Sequence, residues 1–292
     1  MISTASAAGE AGARPAPLKL RVFTSPTRPL PDGASTFSPI TSTLVFGPTE
    51  AIVVDSQVHR DDVEALADTI EATDRTLIAV VATHGHADHC FGTSRLQQRF
   101  PGARFVATPS VAAYLRNHLD RETKMAAGAF GDHAVALTTA PETLNGNVLH
   151  VDGNDVRLID VGQGDISPSA VVHVPSLDAV IAGDVAYNGI HQMLGLSGPL
   201  QWDAWLASVD AVEDLRPTIV VAGHKKADAD DDATRVLECT RSYIRDFAAA
   251  FAAATTYEDL VAAMTSRYPD HENLTTLHYS AYQAVRRHKP AA

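Results

Sequence analysis

A chain of 292 residues with 45% hydrophobic side chains has the material for one large α/β domain or two small ones, which confines expected disorder to the ends. Its formal net charge of -12 leaves no basic face of the kind that neutralises phosphates, which argues against a nucleic-acid ligand. The two cysteines, Cys90 and Cys239, stand far apart and argue against a disulfide framework or a thiolate zinc site, and no apolar run approaches the roughly 20 residues of a membrane span.

Residues 1–17 are rich in Ala, Gly and Ser, lack the basic start and apolar stretch of a secretory signal, and read as a loose tail on a cytoplasmic protein. From residue 18 onward no Pro- or Gly-rich linker divides the chain, so 18–292 is expected to form a single domain. Alternation over 18–24 and apolar segments at 42–46 and 51–54 predict strands. Val63, Leu66, Ala67 and Ile70 share one face of a helix predicted over 60–72, and 77–82 is an apolar run typical of a buried strand. A helix through 96–99, a strand at 104–107 and helical material from Ser110 past His118 follow. Four short β-type runs, at 148–151, 156–161, 170–174 and 179–182, predict a second sheet. A helix over 202–215 and a strand over 218–222 come next, and from about 230 two or three helices are broken near Ala254 and Pro269. Two successive sets of strands and helices predict two sheets packed face to face with helices outside, an αββα sandwich with a helical C-terminal extension. That extension reads as a cap, a dimerising surface or a pocket wall, and the pattern does not choose among them.

The buried strand ends at His84-Gly85-His86-Ala87-Asp88-His89. Imidazole nitrogens and carboxylate oxygens are what Zn²⁺ and similar ions bind in hydrolytic sites. In a loop after a strand, His84 and His86 can point at one ion while Asp88 and His89 reach a second, so the spacing implies two adjacent sites.

This His-x-His-x-Asp-His motif, together with Gly183-Asp184 and Gly223-His224 further on, resembles the metallo-β-lactamase superfamily over roughly residues 43–224. The resemblance implies that Asp184 bridges two metals and that His224 completes the second site with Asp88 and His89. It also implies a third histidine on the first metal, where this chain has Gln163 in Gly162-Gln163-Gly164-Asp165. Three readings are open: Gln163 is a weak ligand, Asp165 substitutes for it, or that site is vacant. Occupancy with an altered shell is the favoured one, with one or two divalent ions, zinc first, per chain. A divalent metal lowers the pKa of bound water toward about 7 and so makes hydroxide available, with Asp88 as ligand and as the group that orients the hydroxide or passes its proton on.

Most other histidines read as surface or satisfied core groups, Lys225 and Lys226 as surface groups, and Cys90 as a small residue at a helix start. The segment 187–205 follows Asp184 and should border the metals. Within it Tyr187, Met193 and Trp202 are expected to contact substrate, and His191 to stabilise an oxyanion or supply the missing imidazole. Few basic residues flank the motifs, which favours a small neutral lactone, carboxylic ester or thioester over a strongly anionic substrate. The alternatives are a single-iron oxidoreductase of the same fold and a metal-poor binding protein or degenerate enzyme. Oligomeric state is open.

Overall fold

The computed structural model describes residues 15–288, so most of the expected tail, residues 1–14, and residues 289–292 lie outside the described part. One sheet has six strands in the order β1 (Lys19–Thr24), β4 (Thr41–Phe46), β5 (Glu50–Val54), β6 (Thr76–Val81), β7 (Arg104–Ala107) and β8 (Glu142–Thr143). The other has five, in the order β13 (Ile219–Lys225), β12 (Ala179–Asn188), β11 (Ser169–Val174), β10 (Asn154–Gly162) and β9 (Val148–Val151). A short hairpin, β2 (Arg28–Pro29) with β3 (Thr36–Phe37), stands apart from both sheets.

Alternation decides which side chains meet between the sheets. Val45, Ile52, Val54, Val81 and Val106 from the first sheet form one buried cluster with Leu158, Val172, Ile181 and Val221 from the second. Each fully buried aliphatic side chain of this kind stabilises the fold by about 1.5–3 kcal/mol relative to exposure. The opposite face of the first sheet is covered by α1 (Arg60–Glu71), α3 (Thr93–Arg99) and α4 (Pro109–Phe130), through Val63, Leu66, Ile70, Leu96 and Leu115. The opposite face of the second is covered by α5 (Pro199–Asp214) and α6 (Ala233–Ala253), extended by α7 (Tyr257–Arg267) and α8 (Leu274–His288). This is the αββα sandwich with a helical extension that the pattern predicts.

The helical extension both completes the outer layer and walls the pocket. Tyr243, Phe247, Leu260, Met264 and Leu277 join the core of the second layer. Thr275 Oγ1 at the start of α8 accepts from the backbone N–H of Thr36 at 3.0 Å, which ties the β2–β3 hairpin to the C-terminal layer.

Two side chains depart from expectation here. Trp202 is a core residue, not a substrate contact: it is fully buried in α5, donates from Nε1 to the Leu194 carbonyl at 3.3 Å and packs edge-on against Phe247 and Phe251. Lys225 is buried as well, because β13 runs on to carry it inside, where its Nζ donates to Asp231 at 2.7 Å.

Candidate metal centre

The side chains of the centre come from strand ends, from bulges, and from the turn and short helix that follow one strand. β6 stops at Val81, and the next turn carries His84 and His86 into a one-turn helix, α2 (Ala87–Cys90), which presents Asp88 and His89. A bulge between Asp160 and Gly162 ends β10 and turns the following loop inward with Asp165. In β12 the ladder shifts at Gly183, whose φ of +50° and close approach to Thr83 leave no room for a side chain, and this kink places Asp184. Gly223 is required in β13 because a Cβ there would lie 2.1 Å from Asp184 Oδ1; His224 follows it.

The result is two adjoining groups of ligand-type atoms. His84, His86, Asp165 and Asp184 each offer one atom within 4.8 Å of the others, and so do Asp88, His89 and His224. Asp184 reaches both groups, since its Oδ1 is 3.1 Å from His89 Nε2 and its Oδ2 is 3.4 Å from His224 Nε2.

Hydrogen bonds behind the rings set which nitrogen faces the centre. His89 Nδ1 donates to Asp55 Oδ2 at 2.8 Å, and His224 Nδ1 donates to the Pro39 carbonyl at 2.7 Å. Thr83 Oγ1 donates to Asp55 and can accept from His84 Nδ1 at 3.1 Å. With these tautomers the Nε2 lone pairs of His89 and His224 face each other at 3.4 Å and face the carboxylate of Asp184, while Asp184 Oδ1 is buried without a hydrogen-bond partner. Such an arrangement of acceptors is repulsive unless a cation or protons sit among them, so the donor set fits a divalent ion.

Protons take that place when no metal competes. Burial opposes charge on His224, but Asp184 and Asp88 outweigh it and raise the imidazole to about 10. Burial likewise opposes charge on His86, and Asp165 with Asp88 raises it to about 9. His89 is raised well above the usual range against the same burial by Asp184, Asp88 and Asp55. Asp184 is held well below the carboxylate range, against burial, by His224 and His89. His84 differs: burial and the neighbouring His89 push it well down.

His84, His86, Asp88, His89, Asp184 and His224 are thus brought together, and Asp165 joins them. Asp165 Oδ2 is 2.9 Å from His86 Nδ1, and its Oδ1 is 3.8 Å from His84 Nε2. Gln163, in contrast, spends its Nε2 on the Gly164 carbonyl at 2.9 Å, and Asp165 rather than Gln163 lines the cavity over the centre. Asp165 thus lies beside both histidines, the position that the reading of a substituted carboxylate requires.

That cavity, of about 500 Å³, is bordered by Tyr187 and Met193. The Tyr187 hydroxyl donates to Asp184 Oδ2 at 2.6 Å, and its ring stacks on His224. Burial pushes its pKa well up, so it remains a donor. His191 is not at the centre. The backbone N–H of His191 donates to Glu272, which pins the segment to the C-terminal layer, and its Nδ1 pairs with the Tyr243 hydroxyl at 2.8 Å. Burial lowers its pKa to about 4, which keeps it neutral. Two participants were not anticipated. Asp55, with φ of +61° at the end of β5, holds His89, and Ser38 Oγ lies 3.0 Å from His224 Nδ1. A carboxylate directly after the buried run 51–54 was a usable signal for the first.

The model of the metallo-beta-lactamase superfamily matches residues 35–224. A hydroxyacylglutathione hydrolase from Synechococcus sp. (strain WH7803) is 43% identical over 60 residues, which is 20% of this chain and 22% of that protein. The chain thus matches about a fifth of that relative's length. A beta-lactamase domain protein from Burkholderia ambifaria superposes with a TM-score of 0.60 at 16% identity, covering 91% of this chain and 85% of that one. A metallo-beta-lactamase from Pontibacter korlensis does so with a TM-score of 0.59 at 17% identity, covering 78% and 95%. At these identities the likeness is one of fold.

Proposed function

The chain belongs to the metallo-β-lactamase superfamily and is a metallo-hydrolase; from that premise we propose that it cleaves a neutral, largely apolar carboxylic ester, lactone or thioester. The observation that carries the substrate class is the lining of the cavity over the centre. Leu30 and Phe37 from the hairpin, Met125 and Phe130 from α4, Tyr279 from α8 and Met193 supply apolar walls. Among the described residues that line it there is no Lys or Arg, while Asp32, Asp88, Glu122, Asp165 and Asp184 are all acidic. The partial likeness to a hydroxyacylglutathione hydrolase supports thioester chemistry. The carboxylates of a glutathione conjugate, however, would meet no Lys or Arg side chain among the residues lining this pocket.

His84, His86, Asp165 and Asp184 would hold one divalent ion, and Asp88, His89, His224 and Asp184 a second. When bound, such ions supply a hydroxide nucleophile at neutral pH and polarise the scissile carbonyl. The chain's own residues do the rest. Asp88, kept ionised against burial by His89 and His224 and facing the cavity, is placed to orient the attacking water and to carry a proton to the leaving oxygen or sulfur. Tyr187 steadies the carboxylate of Asp184 through its hydroxyl. The apolar walls exclude bulk water and hold the acyl portion.

A substrate panel tests this reading. Across lactones and thioesters of increasing acyl length, kcat/KM should rise by about 4-fold per added methylene while the chain still fits, following about 0.8 kcal/mol per buried CH₂. Analogues bearing a terminal carboxylate should be poorer by at least about 10-fold. Equal or better turnover of the carboxylate-bearing series would overturn the substrate assignment. Oxygen consumption with one iron per chain would instead support an oxidoreductase.

A further inference from the structure

Of the four imidazoles at the centre, His84, His89 and His224 each have the nitrogen that faces away from it anchored, by Thr83, Asp55 and Pro39 respectively. His86 is the exception. Its Nδ1 faces Asp165 and His84, and its Nε2 is buried with no hydrogen-bond partner. A ligating imidazole that uses Nδ1 must carry its proton on Nε2, and a buried N–H left without an acceptor costs about 1–3 kcal/mol.

The acceptor that would complete the account stands on α4. Glu122 is wholly buried and lines the same cavity as His86. Its Oε1 accepts from the Tyr114 hydroxyl at 3.3 Å and lies 3.4 Å from Arg121 Nε, but its Oε2 is buried without any partner. The Tyr114 ring packs directly on Gly85, between the two histidines, where a Cβ would lie 2.2 Å from it. α4 is therefore fixed against the His84–His86 turn. A buried donor and a buried acceptor remain, both without a hydrogen-bond partner and both on residues that line one cavity. After burial itself, His86 is the strongest influence on the Glu122 carboxyl.

We propose that Glu122 is the positioning residue for His86: its Oε2 accepts the Nε2–H, directly or through one water, and so holds the Nδ1 lone pair toward the first metal position. This rests on the metal-centre reading above but not on the identity of the substrate. The role needs an acceptor at Oε2, which a glutamine amide supplies through its oxygen and a leucine does not.

Cobalt(II)-loaded protein provides the test, because imidazole N–H protons near that ion are strongly shifted and their exchange with solvent can be followed by proton NMR. Wild type should show the His86 Nε2–H among the shifted exchangeable signals, identified by its loss in His86→Ala. Glu122→Leu should move that signal or speed its exchange, leave those of His89 and His224 in place, and weaken one cobalt by about 10- to 100-fold in chelator competition. Glu122→Gln should restore most of the cobalt affinity while still displacing the His86 signal, because an amide oxygen is a weaker acceptor than a carboxylate, and that displacement is the test should the leucine variant fail to fold. An unchanged His86 signal and unchanged cobalt affinity in the folded variants would overturn the proposal. If wild type binds no cobalt, the metal-centre reading itself fails, an outcome distinct from the first.

Discussion

His86 Nδ1 lies 2.9 Å from Asp165 Oδ2, whereas two residues earlier the amide nitrogen of Gln163 is tied to the Gly164 carbonyl. A carboxylate thus stands beside the two histidines at the turn where the family resemblance implies a third imidazole. Gln163→Ala is therefore expected to keep metal affinity within about 3-fold, since it removes a turn contact and no ligand. Chelator competition on the purified variant measures this. A loss of one full equivalent of metal would show that the amide is a ligand after all.

The charge on the centre makes a pH-dependent prediction. His86 and His224 are raised from 6.5 to about 9 and about 10 in the fold, so the stability their charged forms contribute is complete below about pH 6.5 and is lost as pH rises through 9 to 10. With chelator present, the Tm should fall across that window. Metal binding must displace the same protons, so affinity should rise with pH, and calorimetry in buffers of different ionisation enthalpy should find roughly two to three protons released per chain near neutrality. A chelated protein whose Tm is flat from pH 6.5 to 10 would contradict the assignment of these charges.

The hydroxyl of Tyr187 is expected to matter through Asp184 rather than through substrate. Tyr187→Phe removes a 2.6 Å hydrogen bond to the carboxylate that reaches both groups of ligands. It should retain the fold, weaken metal binding by about 10-fold and lower kcat more than it raises KM. Asp184→Ala should lose both metals. A Tyr187→Phe enzyme with normal metal affinity and only a raised KM would make Tyr187 a substrate contact instead.

Trp202 and Met193 separate packing from recognition. Trp202→Ala, which empties a fully buried site against Phe247 and Phe251, should cost about 3–5 kcal/mol in denaturant unfolding. Met193→Ala, at the cavity wall, should cost far less in stability and should raise KM for long acyl substrates. The reverse pattern would return Trp202 to the pocket.

Much of this was legible in the chain, for identifiable reasons. Strands such as 104–107 and 148–151 are bounded by turn residues, so their limits matched to the residue, and the apolar face of 60–72 could only be a helix against a sheet. The hairpin at Arg28–Pro29 and Thr36–Phe37 was invisible because two-residue strands carry no period. Asp165 could be held only as one of three readings because the bulge at Asp160–Gly162 decides which side chain of the following turn faces inward. His191 shows the converse. Proximity in sequence to Asp184 suggested the centre, but the backbone bond to Glu272 takes it to another layer. Glu122 gave no signal, since its meaning lies in an empty hydrogen-bond position on a residue 36 places away from it.

The most direct test of the central claim is metal content per chain, by elemental mass spectrometry after dialysis, for wild type and Asp165→Ala side by side. Two divalent ions in wild type and about one in the variant, with the loss confined to the His84–His86 side, are the predicted result. Equal metal content in the two proteins would remove Asp165 from the site, and no metal in either would contradict the metal-dependent account as a whole.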